Sequence, residues 1–346
     1  MFMCKLDSLN LLFDKRIKKF ASLTFCKFYN IASRERPHMR IPQLHIGAGT
    51  QLGSLTVFPV WTNASGQLGI STGTGSHLEV TELASGPQVG KLSISNHGTK
   101  PALLLEGELL EGGHQHRICA RDVILGAGES REIDTFCVER GRWGGKNSHS
   151  RTARRAPLSV RAELHGPQPG SRQGRIWERV SRHQGVSGSS PTGSLVDLLN
   201  ASRNRTISQP FRLPLPLEGQ RGVILGLGGE ALMIEVFGTH SLFLRHYGQL
   251  ADAVVMDLQL FATMPEAATP AQDVRQVAAS LSNLRVARFG DDVFTVRDHG
   301  TLKSESFSVQ NGCQAVTGIR VALPKRTPQF AHLSAWNMEH PSIASV

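Results

Sequence analysis

At 346 residues, with 40% hydrophobic and 19% charged residues, the composition excludes a disordered or fibrous chain and leaves room for two domains or one large one. No apolar run reaches the ~20 residues that a membrane-spanning helix needs. The formal net charge of +10 sits in two segments: residues 1–38 hold eight Lys/Arg against three Asp/Glu, and residues 140–186 hold eleven against two, leaving −4 for the remainder. A basic charge so confined argues against the continuous phosphate-tracking surface of a dedicated nucleic-acid binder.

Residues 1–38 differ in composition from the rest of the chain. They contain no glycine, and no proline before Pro37, and the apolar stretch Leu9 to Phe13 is too short for a signal-peptide core. The segment reads as an extension ahead of a functional start at Met39. It holds Cys4 and Cys26, so the body keeps Cys119, Cys137 and Cys313, which form neither a CxxC pair nor a disulfide framework. A reducing, cytoplasmic setting is the resulting expectation.

From Met39 the pattern is that of strands. Leu55 to Trp61 alternates, and Leu78 to Leu83 and Lys91 to Ser95 come next, the last ending in the turn Asn96-His97-Gly98. Pro101 to Trp143 is the densest in chemistry. Leu103 to Leu105 enter a Glu106-Gly107-Glu108 corner, and Arg121 to Leu125 and Ile133 to Val138 read as a hairpin across Gly126 to Ser130. Residues 39–143 therefore form a β-rich, sandwich-like unit. Residues 144–172, rich in Arg, Ser, Gly and Pro without a period, read as a long connection. Residues 173–340 read as a mixed α+β unit, with helices around Ile176 to Val180, from Pro191 to Leu199, from His240 to Phe261 and from Ala271 to Leu281. A hairpin is expected at Val223 to Leu227 and Ala231 to Phe237, and short strands at Ala315 to Val321 and Gln329 to Trp336. The fold class is thus α+β, with 39–340 as two units or one composite domain.

Several residue groups invite a chemical reading. Gly226-Leu227-Gly228-Gly229 lacks the G-x-G-x-x-G spacing and leads into a strand, so it is a hairpin turn and not a dinucleotide loop. His114 and His116 would share one strand face, as a metal site needs, although the closest following carboxylate, Asp122, falls outside the ligand spacing of an H-x-H…E set. Cys137 has arginines nearby that would favour a thiolate, yet its residue type favours burial. Glu106, Glu108, Glu111 and Glu139 could supply a general acid and base. Arg117, Arg140 and Arg142 offer forked donors for phosphate or carboxylate, and Trp143 a stacking face.

LLLEGELLEGGHQHR, followed about twenty residues later by CVERGRW, resembles the bacterial domain family named for its association with ADP-ribosylglycohydrolases (ARG) and the rhodanese-phosphatase superfamily. GSLTVFPVW, QGRIWERV, SPTGSLVDLL, GVILGLGGEALMIEVFGTHSLF and AHLSAW are similar to its other segments, in order, so the resemblance spans most of residues 45–337. The family pattern carries onto Gly107, Glu108, Gly112, Gln115, Arg117, Cys137, Glu139, Gly141, Arg142 and Trp143. It departs at His114 and His116, where Lys and Asn are usual, which weighs against a family-wide metal site there. The resemblance implies a link to NAD and ADP-ribose metabolism and a functional link to ADP-ribosylglycohydrolases, with no assigned activity and no known cofactor.

Two readings stand. One is a binding or accessory module that holds an ADP-ribose-like or other phosphorylated nucleotide through Gln115, Arg117, Arg142 and Trp143. The other is a hydrolase or transferase with Glu108 or Glu139 as acid/base and a metal at His114/His116.

Overall fold

The apolar run of Leu55, Val57, Phe58 and Val60, with neighbours Val57 and Phe58 pointing to opposite faces, fits a strand buried on both faces, and such a strand needs a covering layer on each side. In the computed structural model, which describes residues 39–64, 68–165, 172–208, 212–282, 284–286, 289–296, 300–322 and 329–344, both layers are present. The extension 1–38 lies outside the described residues. Residues 39–346 group as one compact unit.

The chain begins with β1 (Met39–Arg40), β2 (Leu44–Ile46), β3 (Thr50–Leu52), β4 (Leu55–Thr62) and β5 (Ser71–Thr72). It continues through β6 (Leu78–Thr81), β7 (Lys91–Asn96), β8 (Ala102–Leu104), β9 (Leu109–Gly112) and β10 (Arg117–Cys119). Next come β11 (Val123–Leu125), β12 (Ser130–Cys137) and β13 (Ser148–Ser150). Helices enter only then: α1 (Leu158–Ala162), α2 (Arg172–Arg182) and α3 (Leu195–Ser208). The hairpin β14 (Gly222–Leu227) and β15 (Glu230–Phe237), the helices α4 (His240–Leu260) and α5 (Ala271–Ser282), the strands β16 (Arg285–Val286), β17 (Phe289–Val296), β18 (Gly300–Asn311), β19 (Gln314–Ala322) and β20 (Gln329–Asn337), and α6 (Pro341–Ala344) complete it. The architecture is α+β, a β-rich part followed by a mixed one.

The β-rich part closes on itself. Strands β10, β12, β7, β6, β13 and β9 form a barrel, which removes the exposed edges that an open sheet of this size would leave. Val80, Leu92, Ile94, Leu110, Cys119 and Ile133 pack in one cluster drawn from its strands. The largest sheet runs β17-β18-β19-β20-β15-β14-β4-β2, with β3 also paired to β4, so strands from both halves of the chain share it. Its two faces separate by period two. Leu55, Val57, Leu225 and Met233 join α4 residues Phe243 and Leu250 on one side. Phe58, Val60, Ile224 and Ile234 join α5 residues Val274 and Leu281 on the other. Thr239 caps α4, its hydroxyl accepting from the Leu242 N–H at 3.1 Å. Gly228 and Gly229, at φ 63° and 95°, make the two-residue turn between β14 and β15.

Two expectations are corrected. The stretches 121–125 and 133–138 do not pair with each other: β11 pairs with β8, and β12 pairs with β7 and β10. The intervening turn docks on the end of β7, Gly128 N–H donating to the Asn96 carbonyl and Asn96 N–H to that of Glu129, which sends the two strands into different sheets. The second correction concerns residues 144–172. As far as His165 they carry β13 and α1, and Arg155, Ala156, Ser159, Arg161 and Ala162 are buried. Composition suggests a solvated, basic connection, but Arg151, Arg154, Arg155 and Arg161 each meet a carboxylate of the fold.

Candidate functional site

The acidic corner Glu106-Gly107-Glu108 is possible because Gly107 adopts φ 70°, and a Cβ there would lie 2.7 Å from Cγ of Arg161. The corner points its acids at the arginines of 151–161. Glu108 Oε1 accepts from Nη2 of Arg151 at 2.6 Å and Nε at 3.0 Å, while its Oε2 accepts from the Leu105 N–H. Glu111 pairs with Arg154 at 2.7 Å. Glu106 bonds Arg155 and Arg161, and both arginines reach Glu235 on β15. Burial by itself would push the Glu106 and Glu235 carboxyls up, but the two guanidinium groups outweigh it and hold both well below the usual carboxylate range. His332 completes the group, bridging Asp122 at 2.7 Å and Glu235 at 3.0 Å.

A second knot forms after β12. Arg142 donates from Nε to Glu139 Oε1 at 2.9 Å and from Nη2 to Oε2 at 2.6 Å, and its remaining N–H groups go to the carbonyls of Gly112, Gly113 and Gly144. Glu139 also accepts from the His116 N–H and the Thr192 hydroxyl. Burial pushes the Glu139 carboxyl up, but these donors win and hold it below its ordinary value. Both acid/base candidates, Glu108 and Glu139, thus have every carboxylate oxygen engaged. The guanidinium of Arg142 is likewise committed to the fold.

Arg117 is placed differently. It lies on β10 opposite Cys137, fully buried, and its Nε donates to the Val89 carbonyl at 2.9 Å. Its Nη1 and Nη2 have no hydrogen-bond partner. Above it is Trp143, 56% exposed, with the ring centroid 6.0 Å from Cζ. Burial draws the Arg117 pKa down, and the Glu82 carboxylate is among the groups that oppose this. Glu82 is buried, with Oε1 taking the His114 N–H at 2.9 Å and facing His149 Nε2 at 3.2 Å, and with Oε2 unpartnered. Gln115 is buried too: Nε2 donates to the Glu139 carbonyl at 3.0 Å, and Oε1 is unpartnered. Gly113 makes this packing feasible, since a Cβ there would meet His149 Nε2 at 2.0 Å and Glu82 Oε1 at 2.7 Å. Glu82 also lines an open groove of about 430 Å³ with Thr81, Pro87, Ser93 and Asn147.

Buried polar atoms in folded proteins are nearly always satisfied, and Glu82, Gln115 and Arg117 bring unpartnered ones together at one end of the barrel. The family profile named ARPP-1, described as the ARG and Rhodanese-Phosphatase-superfamily-associated Protein domain, matches residues 43–336. The chain belongs to this family. No curated protein and no solved structure matches it.

In this ARPP-1 chain the motif residues meet around β10 and β12, joined by Gln115 to Glu139, Arg117 to Cys137, and Arg142 to Glu139. His114 and His116 are not on a strand. Gly112 and Gly113, at φ 107° and 55°, turn the chain into a bend there, and His116 accepts the Gly112 N–H on Nδ1 while its Nε2 stands 3.6 Å from Glu139. Among the described residues no group of three or more His, Cys, Asp and Glu is arranged to hold a metal ion. Burial pushes the Cys137 thiol up, away from a thiolate, as it does for Cys119. Arg140 lies over Trp177, 5.3 Å from its centroid, and not with Arg117. Glu82 and His149 are the site residues that sequence reasoning misses. Glu82 reads only as part of a strand, and His149 falls in the supposed connection. No described helix is long and apolar enough to cross a membrane.

Proposed function

We propose that this ARPP-1 domain is a binding module for a phosphorylated nucleotide of the ADP-ribose type, with Arg117 as the anion-binding group and Trp143 as the stacking face. The observation that carries the reading is the pair of unpartnered Arg117 amino groups beneath a half-exposed indole. A buried guanidinium without an acceptor is destabilising, and a phosphate oxygen would supply charge-assisted bonds to both amino groups. Trp143 has the free ring area to pack on a base or sugar. The family description, which associates the domain with the ARG superfamily, supports an ADP-ribose-like ligand and a role beside ADP-ribosylglycohydrolases. Gln115 joins the ligand set through its free carbonyl, and Arg142 supports the site by holding Glu139 and the Gly112–Gly113 bend.

A thermal-shift screen with ADP-ribose, NAD, ADP, pyrophosphate and divalent metals tests the reading, because a ligand that binds only the folded state raises its melting temperature. A shift with ADP-ribose or ADP is expected. No shift with any phosphorylated compound up to millimolar concentration contradicts it.

A further inference from the structure

The unpartnered atoms at this barrel end differ in kind. Arg117 Nη1 and Nη2 can only donate. Glu82 Oε2 can only accept once the carboxyl is ionised, and its sister oxygen is already occupied by the His114 N–H and faced by His149. Gln115 Oε1 also can only accept, and its orientation is settled by its neighbours: Nε2 must face the Glu139 carbonyl, so Oε1 points away from it. An anion alone would satisfy the arginine and leave both acceptors empty, with a further negative charge brought near Glu82. His114 Nδ1, also unpartnered there, can donate or accept and so does not discriminate, but a ligand that answers the other four atoms must carry anionic oxygens and O–H donors together.

We propose that the ligand recognised here carries ribose hydroxyls next to its phosphate, with Glu82 and Gln115 accepting from the sugar hydroxyls while Arg117 binds the phosphate. The inference rests on the nucleotide reading above and narrows it to phosphorylated ribosides with an intact diol. Glu82 suits the task because a carboxylate makes the stronger hydrogen bonds of an ionised acceptor, and a sugar diol can share it without a proton leaving either partner. It also sets selectivity. A site with buried acceptors rejects a ligand lacking the matching hydroxyls, since those acceptors then stay dehydrated and unpaired. His149 holds Glu82 in place from β13, a positioning role in which its ring touches Glu82 and not the ligand.

Isothermal titration of the full chain with ADP, 2′,3′-dideoxy-ADP and inorganic pyrophosphate tests this. ADP is expected to bind at least about tenfold tighter than the dideoxy compound. In Glu82→Gln that preference should fall below about threefold while pyrophosphate affinity is kept or improved, because a repelling charge is gone. Should Glu82→Gln fail to fold by its melting profile, Gln115→Met gives a second reading of the same preference. Equal affinity of wild type for ADP and dideoxy-ADP overturns the hydroxyl inference and leaves the anion site standing. Absence of binding by ADP, ADP-ribose and pyrophosphate alike overturns the nucleotide reading and this inference with it.

Discussion

Arg142 holds both carboxylate oxygens of Glu139, at 2.9 and 2.6 Å, and spends its other donors on three backbone carbonyls. Its role is therefore to tie the end of β12 to the Gly112–Gly113 bend. Arg142→Ala would leave a buried carboxylate without its main partner and three carbonyls unbonded, and should cost about 2–4 kcal/mol of stability. Urea unfolding measures it. A loss under about 0.5 kcal/mol would show that the pair is dispensable to the fold.

Glu235 stands among Arg155, Arg161 and His332, while Glu106 and Asp122 supply the remaining negative charge. With His332 protonated the group holds three anions and three cations, which is how such a set tolerates complete burial. Glu235→Ala breaks that balance and is expected to cost about 3–5 kcal/mol, more than Arg121→Ala, whose exposed pair with Asp134 is worth at most about 1 kcal/mol. Comparable losses from the two substitutions would contradict the network.

His332 gives the fold a pH dependence of definite sign. Burial alone would lower its pKa, but Asp122 and Glu235 raise it to about 9 from an ordinary 6.5. Its contribution is present in full below about pH 6.5 and is lost as pH rises through about 9, amounting to about 3 kcal/mol. The stability advantage of wild type over His332→Gln should therefore shrink between pH 6.5 and 9.5. Parallel curves across that range would mean that His332 is neutral in the folded protein.

What the sequence makes legible is local. The β14–β15 hairpin carries its Gly-Gly turn, and α4 and α5 carry helical periods, so each is specified by neighbours in the chain. The barrel and the ion pairs depend on partners far apart: Glu106 meets Arg155 and Arg161 across 49 and 55 residues. Arginines 151–161 resemble a solvated connection because composition cannot distinguish a charge facing water from one facing a distant carboxylate. A clue is nevertheless present in the charge asymmetry, +9 over 140–186 against −4 outside the two basic segments, with Glu106, Glu108 and Glu111 spaced to receive it. Of the site, Arg117, Gln115 and Trp143 stand out by residue type and by family pattern. Arg142 groups with Arg117 in the sequence because two arginines look alike until their acceptors are counted.

The same contrast bears on the choice of a control arginine. Arg154, in the stretch that reads from sequence as a connection, pairs with Glu111 and bonds Asn200 at 2.6 Å, so its removal should lower stability by about 1 kcal/mol. Arg121, exposed in the link between β10 and β11, is the better neutral substitution for binding work. A loss of ADP-ribose affinity in Arg121→Ala equal to that of an Arg117 variant would reduce recognition to diffuse charge.

The most direct test is Arg117→Met, read for stability and ADP-ribose affinity together. An arginine kept buried with two unpartnered amino groups for a ligand's sake should weaken the empty fold, so its replacement by an apolar side chain of similar length is predicted to leave the unliganded melting temperature unchanged or raised. The same substitution should weaken ADP-ribose binding at least about a hundredfold, about 2.7 kcal/mol. A fall in melting temperature with affinity retained would contradict the account and make Arg117 a structural residue like Arg142.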